Sequence, residues 1–196
     1  MPTLPISALN QAFLTARTFS KFTEQAVPDE TITQLCELTQ WGPTSMNCQP
    51  ARFVFVRSAE AKAKLKSCLA PGNVDKTMAA PLTVIVAQDS RFFEHLPTQF
   101  LPNPNAQAMF ANNVELAQVT ALRNSSMQGA YLILAARMLG LDCGPMSGFN
   151  NAAVDAAFFP DGRFKSNFLI NLGSGDASAL HPRGPRLAMD VTCNIL

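Results

Sequence analysis

The apolar residues of this chain repeat with two different periods. RFVFVR at 52–57 alternates and is rich in β-branched and aromatic side chains, which predicts a strand. LTVIVA at 82–87 is apolar without interruption, the pattern of a central strand buried on both faces. NFLINLG at 167–173 predicts a second central strand. Helical spacing appears at 6–16 (ISALNQAFLTA) and at 29–41 (DETITQLCELTQW). In the second of these, Asp29 and Glu30 suit the positive end of the helix dipole, and Gly42-Pro43 stops the helix. Ser58 caps a further helix, AEAKAKLKSCLA. The longest helical stretch, 114–139, is apolar around most of its second half, so it belongs in a core or an interface, and Gly140 ends it. Residues 91–113 hold three prolines and several phenylalanines and predict an irregular excursion with short helical pieces. Phe92, Phe93, Phe100 and Phe110 are either a cover over a ligand or plain core. The last segment, LHPRGPRLAMDVTCNIL, is extended and basic at first, then a short strand or helix. Strands separated by helices indicate an α+β fold, an α/β sandwich, as a single domain over 1–196.

Composition narrows the function classes. Of 196 residues, 47% are hydrophobic and 15% charged, too apolar for disorder and low in charge for a free-standing monomer. A net charge of +1 gives no broad basic field, so no nucleic-acid partner is expected. No run of 18 apolar residues and no charged-then-apolar leader occurs, so the expectation is no membrane span and a cytoplasmic location. The five cysteines are widely spaced without C-x-x-C, and there are only His95 and His181; neither a disulfide framework nor a metal site is expected.

Five segments carry candidate chemistry. Arg17-Thr18-Phe19-Ser20 puts a planar guanidinium beside hydroxyls, a set suited to phosphate oxygens and equally to a solvated turn. In Pro43-Thr44-Ser45-Met46-Asn47-Cys48-Gln49-Pro50, the amides of Asn47 and Gln49 each offer a donor and an acceptor. They suit a heterocycle with alternating N–H and C=O groups, or a loop satisfying its own backbone. Asn73 and Lys76 share a helical face, on which they hold a polar ligand or simply meet solvent. Pro145-Met146-Ser147-Gly148 lets backbone approach a planar ligand closely, or merely follows a helix cap. Arg183 and Arg186 flank a Gly-Pro turn and complete a phosphate site or lie in a solvated tail. Cys48 has no histidine near it in sequence and reads as a packed thiol. No phosphate loop or dinucleotide fingerprint is present.

Taken together and in this order, the five segments resemble the FMN-dependent nitroreductase family over nearly the whole chain. WGPTSMNCQPARFVFVRSAE and RNSSMQGAYLILAARMLGLDCGPMSGF read closest to its malonic semialdehyde reductase (RutE-type) branch. The resemblance implies a mixed central sheet flanked by helices and an intertwined homodimer with FMN at the interface. Arg17, Thr18, Ser20, Asn73, Lys76, the 145–148 turn, Arg183 and Arg186 as a helper would come from one subunit. Pro43, Thr44, Ser45, Asn47 and Gln49 would come from the other. NADH or NADPH would then supply hydride, passed through flavin N5 to a small aldehyde, nitro compound or quinone. Malonic semialdehyde is the expected substrate, with broad nitro or quinone reduction, or flavin binding without turnover, as alternatives. Arg123 is a candidate contact for a substrate carboxylate or an interface ion pair. Two positions depart from the family: Ser147 stands where Glu is frequent, and Ala16 where a second basic residue is frequent.

Overall fold

The computed structural model describes residues 3–196. Its centre is a four-stranded sheet of β1 (Ala51–Val56), β2 (Leu82–Asp89), β3 (Asp142–Met146) and β4 (Phe164–Gly173), in the order β1-β2-β4-β3. All three strand pairs are antiparallel; a parallel element is the isolated bridge between Thr18 and Cys143. The uninterrupted apolar run becomes β2, one of the two central strands, as its pattern predicts. Its side chains alternate between layers: Leu82, Val84 and Val86 join one core cluster, Ile85 and Ala87 the other. β4 divides in the same way, Ile170 and Leu172 against Leu169.

Helices cover both faces. α1 (Ile6–Leu9), α2 (Asp29–Thr39), α3 (Ala59–Lys66), α4 (Pro71–Ala79), α5 (Leu96–Gln99), α6 (Ala106–Ala111), α7 (Val114–Met138), α8 (Asn151–Phe158) and α9 (Met189–Thr192) succeed one another in chain order. α2 and α7 cover the first face, α3 and α8 the second. The expected helix over 6–16 breaks after α1 into a π-turn at Asn10–Leu14, closed by the Thr15 N–H donating to Asn10 O at 2.9 Å. Phe13 and Leu14 are left exposed there, so little packing in a single chain enforces regular α geometry. The helix expected over AEAKAKLKSCLA stops at Lys66, and Pro71 opens α4 at the position where a missing N–H costs nothing.

Just past the end of α7, Gly140 has φ +80°. Its N–H donates to Arg137 O and the Leu141 N–H to Ala136 O, a paired C-terminal cap that only a left-handed residue completes without strain. The chain then enters β3 directly. β3 is an edge strand, which is why it tolerates Pro145. Residues 145–146, expected as part of a turn, are therefore strand, with Pro145 opposite Ile170 and Met146 opposite Leu169. The excursion at 91–113 folds into a third core cluster, in which Phe92 and Phe110 are buried and Phe93 and Phe100 partly so. Phe92 and Phe110 are therefore core, and Phe93 and Phe100 pack against them half-buried. No helix among the described residues is long and apolar enough to cross a membrane.

Candidate functional site

The predicted site residues gather in three places. At the first, Arg17, Thr18, Arg183 and Arg186 line a cavity of about 300 Å³, with Phe13, Ala16, Arg137, Pro182 and Gly184. Its wall carries four guanidinium groups and no carboxylate. Arg17 donates to His181 O. Arg183 donates to Leu14 O and Ala16 O at 2.9 and 3.0 Å, and Arg186 to Gly184 O and Pro185 O at 3.1 and 3.2 Å. Neutral carbonyls orient these side chains but leave their charge uncompensated. None of the four forms an ion pair among the described residues. Ser20, two residues beyond Thr18, is exposed and is not part of the cavity wall.

At the second place, Asn73 on α4 donates to Gly148 O at 2.6 Å, and the Ala70 N–H donates to the same carbonyl at 3.1 Å. A Cβ on Gly148 would meet Asn73 Nδ2 at 2.3 Å, so the close approach requires glycine. Neither the Ser147 nor the Gly148 N–H donates to another described residue. Lys76 accepts from Asn171 through its carbonyl, and its ammonium has no hydrogen-bond partner among the described residues. The first two groups are joined by β3. The Phe19 N–H donates to Cys143 O at 3.0 Å, and Gly144 lies so close that its Cβ would meet Phe19 O at 2.4 Å. At ~3.3 Å per residue, the four steps from Asp142 to Met146 span about 13 Å.

The third group, the loop at 43–50, enters β1 at the opposite edge of the sheet. Three strand spacings of ~4.8 Å separate that edge from β3 by about 14 Å across the sheet, and the register offsets the loop further along the strands, since Met146 is level with Val54 and not with Ala51. Met46, Asn47 and Gln49 have φ of 51°, 50° and 40°, a left-handed backbone without glycine. Such strain persists only where the surroundings over-determine it, and they do here. The Ser45 N–H donates to Asn124 Oδ1 at 2.8 Å, the Gln49 N–H to Thr44 Oγ1 at 3.2 Å, and the Ala51 N–H to Gln128 Oε1 at 2.9 Å. Cys48 is a buried plug in the third core cluster, and burial pushes its thiol up to about 11, so it is a packed group and not a nucleophile. Asn47 Nδ2 donates to Gln99 O at 3.1 Å, and Gln49 Nε2 to Asn47 Oδ1 at 3.0 Å.

Arg123 joins none of these groups. It is exposed on α7 and forms no ion pair among the described residues. Its neighbours Val119, Leu122 and Met127 are 41–48% exposed, and Leu38 on α2 and Trp41 just beyond it are exposed too. A long apolar face is thus left without a partner in one chain.

Sequence reasoning missed several residues that build the site. Asn124 and Gln128, one turn apart on α7, hold the 43–50 loop; two buried amides at this spacing in an apolar helix were a usable signal. Lys62 is buried with its ammonium on Thr77 O, Ala80 O and Thr83 Oγ1 at 2.7, 2.7 and 3.0 Å, which fastens the end of α4 to the sheet. Arg137 lines the arginine-rich cavity and appeared in the sequence only as one basic residue near a helix end.

A model of the Nitroreductase family matches residues 14–173. A Rhodopseudomonas palustris protein that carries the provisional name NADH dehydrogenase/NAD(P)H nitroreductase is 57% identical over 194 residues, 99% of this chain and 98% of that one. One of the same name from Burkholderia lata is 58% identical over 190 residues, 97% of each. Among solved structures, a protein of Exiguobacterium sibiricum in complex with FMN superposes with a TM-score of 0.84 at 21% identity, over 100% of this chain and 99% of that one. A Bacillus subtilis protein provisionally described as a nitroreductase gives 0.87 at 20%, over 98% and 100%. At these identities, the two structures speak for the fold.

Proposed function

Since the chain belongs to the nitroreductase family, we propose that it is an FMN-dependent NAD(P)H oxidoreductase, a single domain over 1–196 that works as a cytoplasmic homodimer. The observation that carries this reading is the separation of the groups. An elongated anion-bearing ligand fits along β3, with its phosphate at Arg17, Thr18, Ser20, Arg183 and Arg186 and its ring system toward Asn73, Lys76 and Pro145–Gly148. The amides of Asn47 and Gln49, with Pro43, Thr44 and Ser45, lie at the far edge of the same sheet. They complete such a site on a second copy, brought there by pairing through the exposed face of α7 and α2. The extended tail supports the same arrangement: Leu187, Met189, Val191 and Ile195 are each 69–90% exposed in the single chain.

The chemistry supplied by the bound flavin is a two-electron relay from NADH or NADPH to a small electrophile. The chain's own part is to bind and to orient. The uncompensated guanidinium groups neutralise the phosphate. The free N–H groups of Ser147 and Gly148 and the Lys76 ammonium would hold the ring system as donors, and the Asn47 and Gln49 amides would offer it both donors and acceptors. Ser147 offers no carboxylate, so its contribution is the backbone N–H.

Malonic semialdehyde, giving 3-hydroxypropionate, is the substrate favoured by the likeness of the 41–60 and 123–149 segments to that branch. The relatives' provisional name favours nitroaromatic reduction as a second reading. The decisive experiment is an anaerobic absorbance spectrum of FMN-saturated, desalted protein before and after NADH or NADPH. A retained flavin band that bleaches supports the reading, and the rates of reoxidation by malonic semialdehyde, a nitroaromatic and a quinone rank the substrates. A colourless protein overturns it.

A further inference from the structure

Three of the four arginines around the 300 Å³ cavity come from segments already given a phosphate-binding part. The fourth, Arg137, comes from the last turn of α7. We propose that Arg137 is a further phosphate ligand of the flavin mononucleotide, an inference that rests on the cofactor reading above. Its Nε is buried and has no hydrogen-bond partner in the described residues. Buried donors without an acceptor are rare in folded proteins, and each one asks for a missing partner. The rest of the guanidinium is held in place, with Nη1 donating to Ala12 O at 3.1 Å.

Two other duties for this side chain are already filled. The last carbonyls of α7, Arg137 O and Met138 O, are capped by Gln11 Nε2 at 2.8 and 3.2 Å, so the arginine is not needed to cap its own helix. Asp142, on the wall of the adjoining 500 Å³ cavity that Arg137 also borders, accepts from the Gly175 N–H at 2.8 Å and forms no ion pair with it. The two cavities differ in a way that places the anion. The larger contains the Asp142 carboxylate, which repels a phosphate; the smaller contains Arg17, Arg137, Arg183, Arg186 and the Thr18 hydroxyl with no acidic residue. A phosphate there meets donors from the N-terminal segment, the C-terminal tail and the end of α7. Arg137 therefore ties α7 to the phosphate end of the site.

The test is titration of the flavin-free full chain with FMN and, separately, with riboflavin, which lacks the phosphate. Arg137→Met should weaken FMN binding about ten- to a hundredfold, the loss of one charge-assisted contact, and leave riboflavin binding unchanged. Arg137→Lys keeps a cation but not the guanidinium fork and should lose part of that factor, again for FMN alone. Equal weakening of both flavins would overturn the inference, since Arg137 would then only clip the N-terminal segment through Ala12. Unchanged FMN binding would overturn it too. If Arg137→Met does not fold, the Arg137→Lys titration decides by the same comparison. A wild-type chain that binds neither flavin would instead overturn the cofactor reading itself, which keeps the two failures apart.

Discussion

Gly144 is the point where the 17–19 segment, which carries the proposed phosphate ligands, is fastened to the sheet, and Gly144→Ala should release it. The added Cβ would lie 2.4 Å from Phe19 O, a backbone atom with no rotamer to escape into. It falls short of an ordinary ~3.5 Å contact by about 1 Å, so the 17–19 segment must move. That movement breaks the 3.0 Å bond from the Phe19 N–H to Cys143 O and lifts Phe19, only 8% exposed, from its cluster with Phe22 and Ala80. A hydrogen bond at about 1 kcal/mol and partial loss of a buried phenylalanine put the destabilisation at about 2–4 kcal/mol. Arg17 and Thr18 move with the segment, so FMN affinity should fall about tenfold or more. The assay is urea unfolding at fixed protein concentration together with FMN titration. Gly72→Ala is the control: nothing lies within 4 Å of its Cβ, and it should change stability by at most about 1 kcal/mol, upward. If Gly144→Ala matched Gly72→Ala in both assays, the argument that β3 anchors the N-terminal segment would be wrong.

The buried polar groups give three further expected outcomes. Burial lowers the Lys62 ammonium to about 8 while the unfolded lysine holds its proton to about 10.5, so between these values the unfolded state binds more protons and stability rises with pH. Burial raises the Cys48 and Cys143 thiols to about 11 and about 12, and their contribution falls as pH rises above 9. Comparing urea midpoints of wild type and Lys62→Met at pH 8 and 10 isolates the lysine: its variant should lack the upward component, and parallel profiles would contradict the assignment. Asn124→Ala strands the Ser45 N–H in a partly buried place and should cost about 1–3 kcal/mol by thermal unfolding, with faster amide exchange at Ser45; an unmoved melting temperature would refute this. For Asp89, burial favours the neutral acid, but bonds from Arg163 and the Arg91 N–H and the charge of Arg52 outweigh it and hold the carboxyl below its usual range. Its stabilisation is therefore present at neutral pH and lost as pH falls through the lowered value, and Asp89→Asn should cost about 3 kcal/mol or more at pH 7 with a smaller penalty in acid.

Periodicity made the sheet legible. The uninterrupted run at 82–87 and the apolar run at 167–173 became the two central strands because a strand covered by helices on both faces has no polar side to display. β3 was not legible: DCGPM has a glycine and a proline, and it pairs as a strand because an edge needs only one partner, here β4. The ordered motifs marked the surfaces where chemistry is possible, including the arginines, which meet although 166 positions separate Arg17 from Arg183. What the sequence hid was support from elsewhere in the chain. Asn124, Gln128 and Lys62 act through bonds to residues 15–79 positions away, and no local pattern records those. Arg123 stands apart from the three groups in one chain, exposed on α7 beside its unpartnered apolar face.

The composite site can be tested by sedimenting FMN-loaded, desalted protein while following the flavin band and the protein band together. The account predicts that flavin travels with a dimer, that Leu122→Glu on the exposed face of α7 shifts protein to monomer, and that flavin is released as it does so. Flavin that stays bound to the monomer would contradict a site shared between two copies.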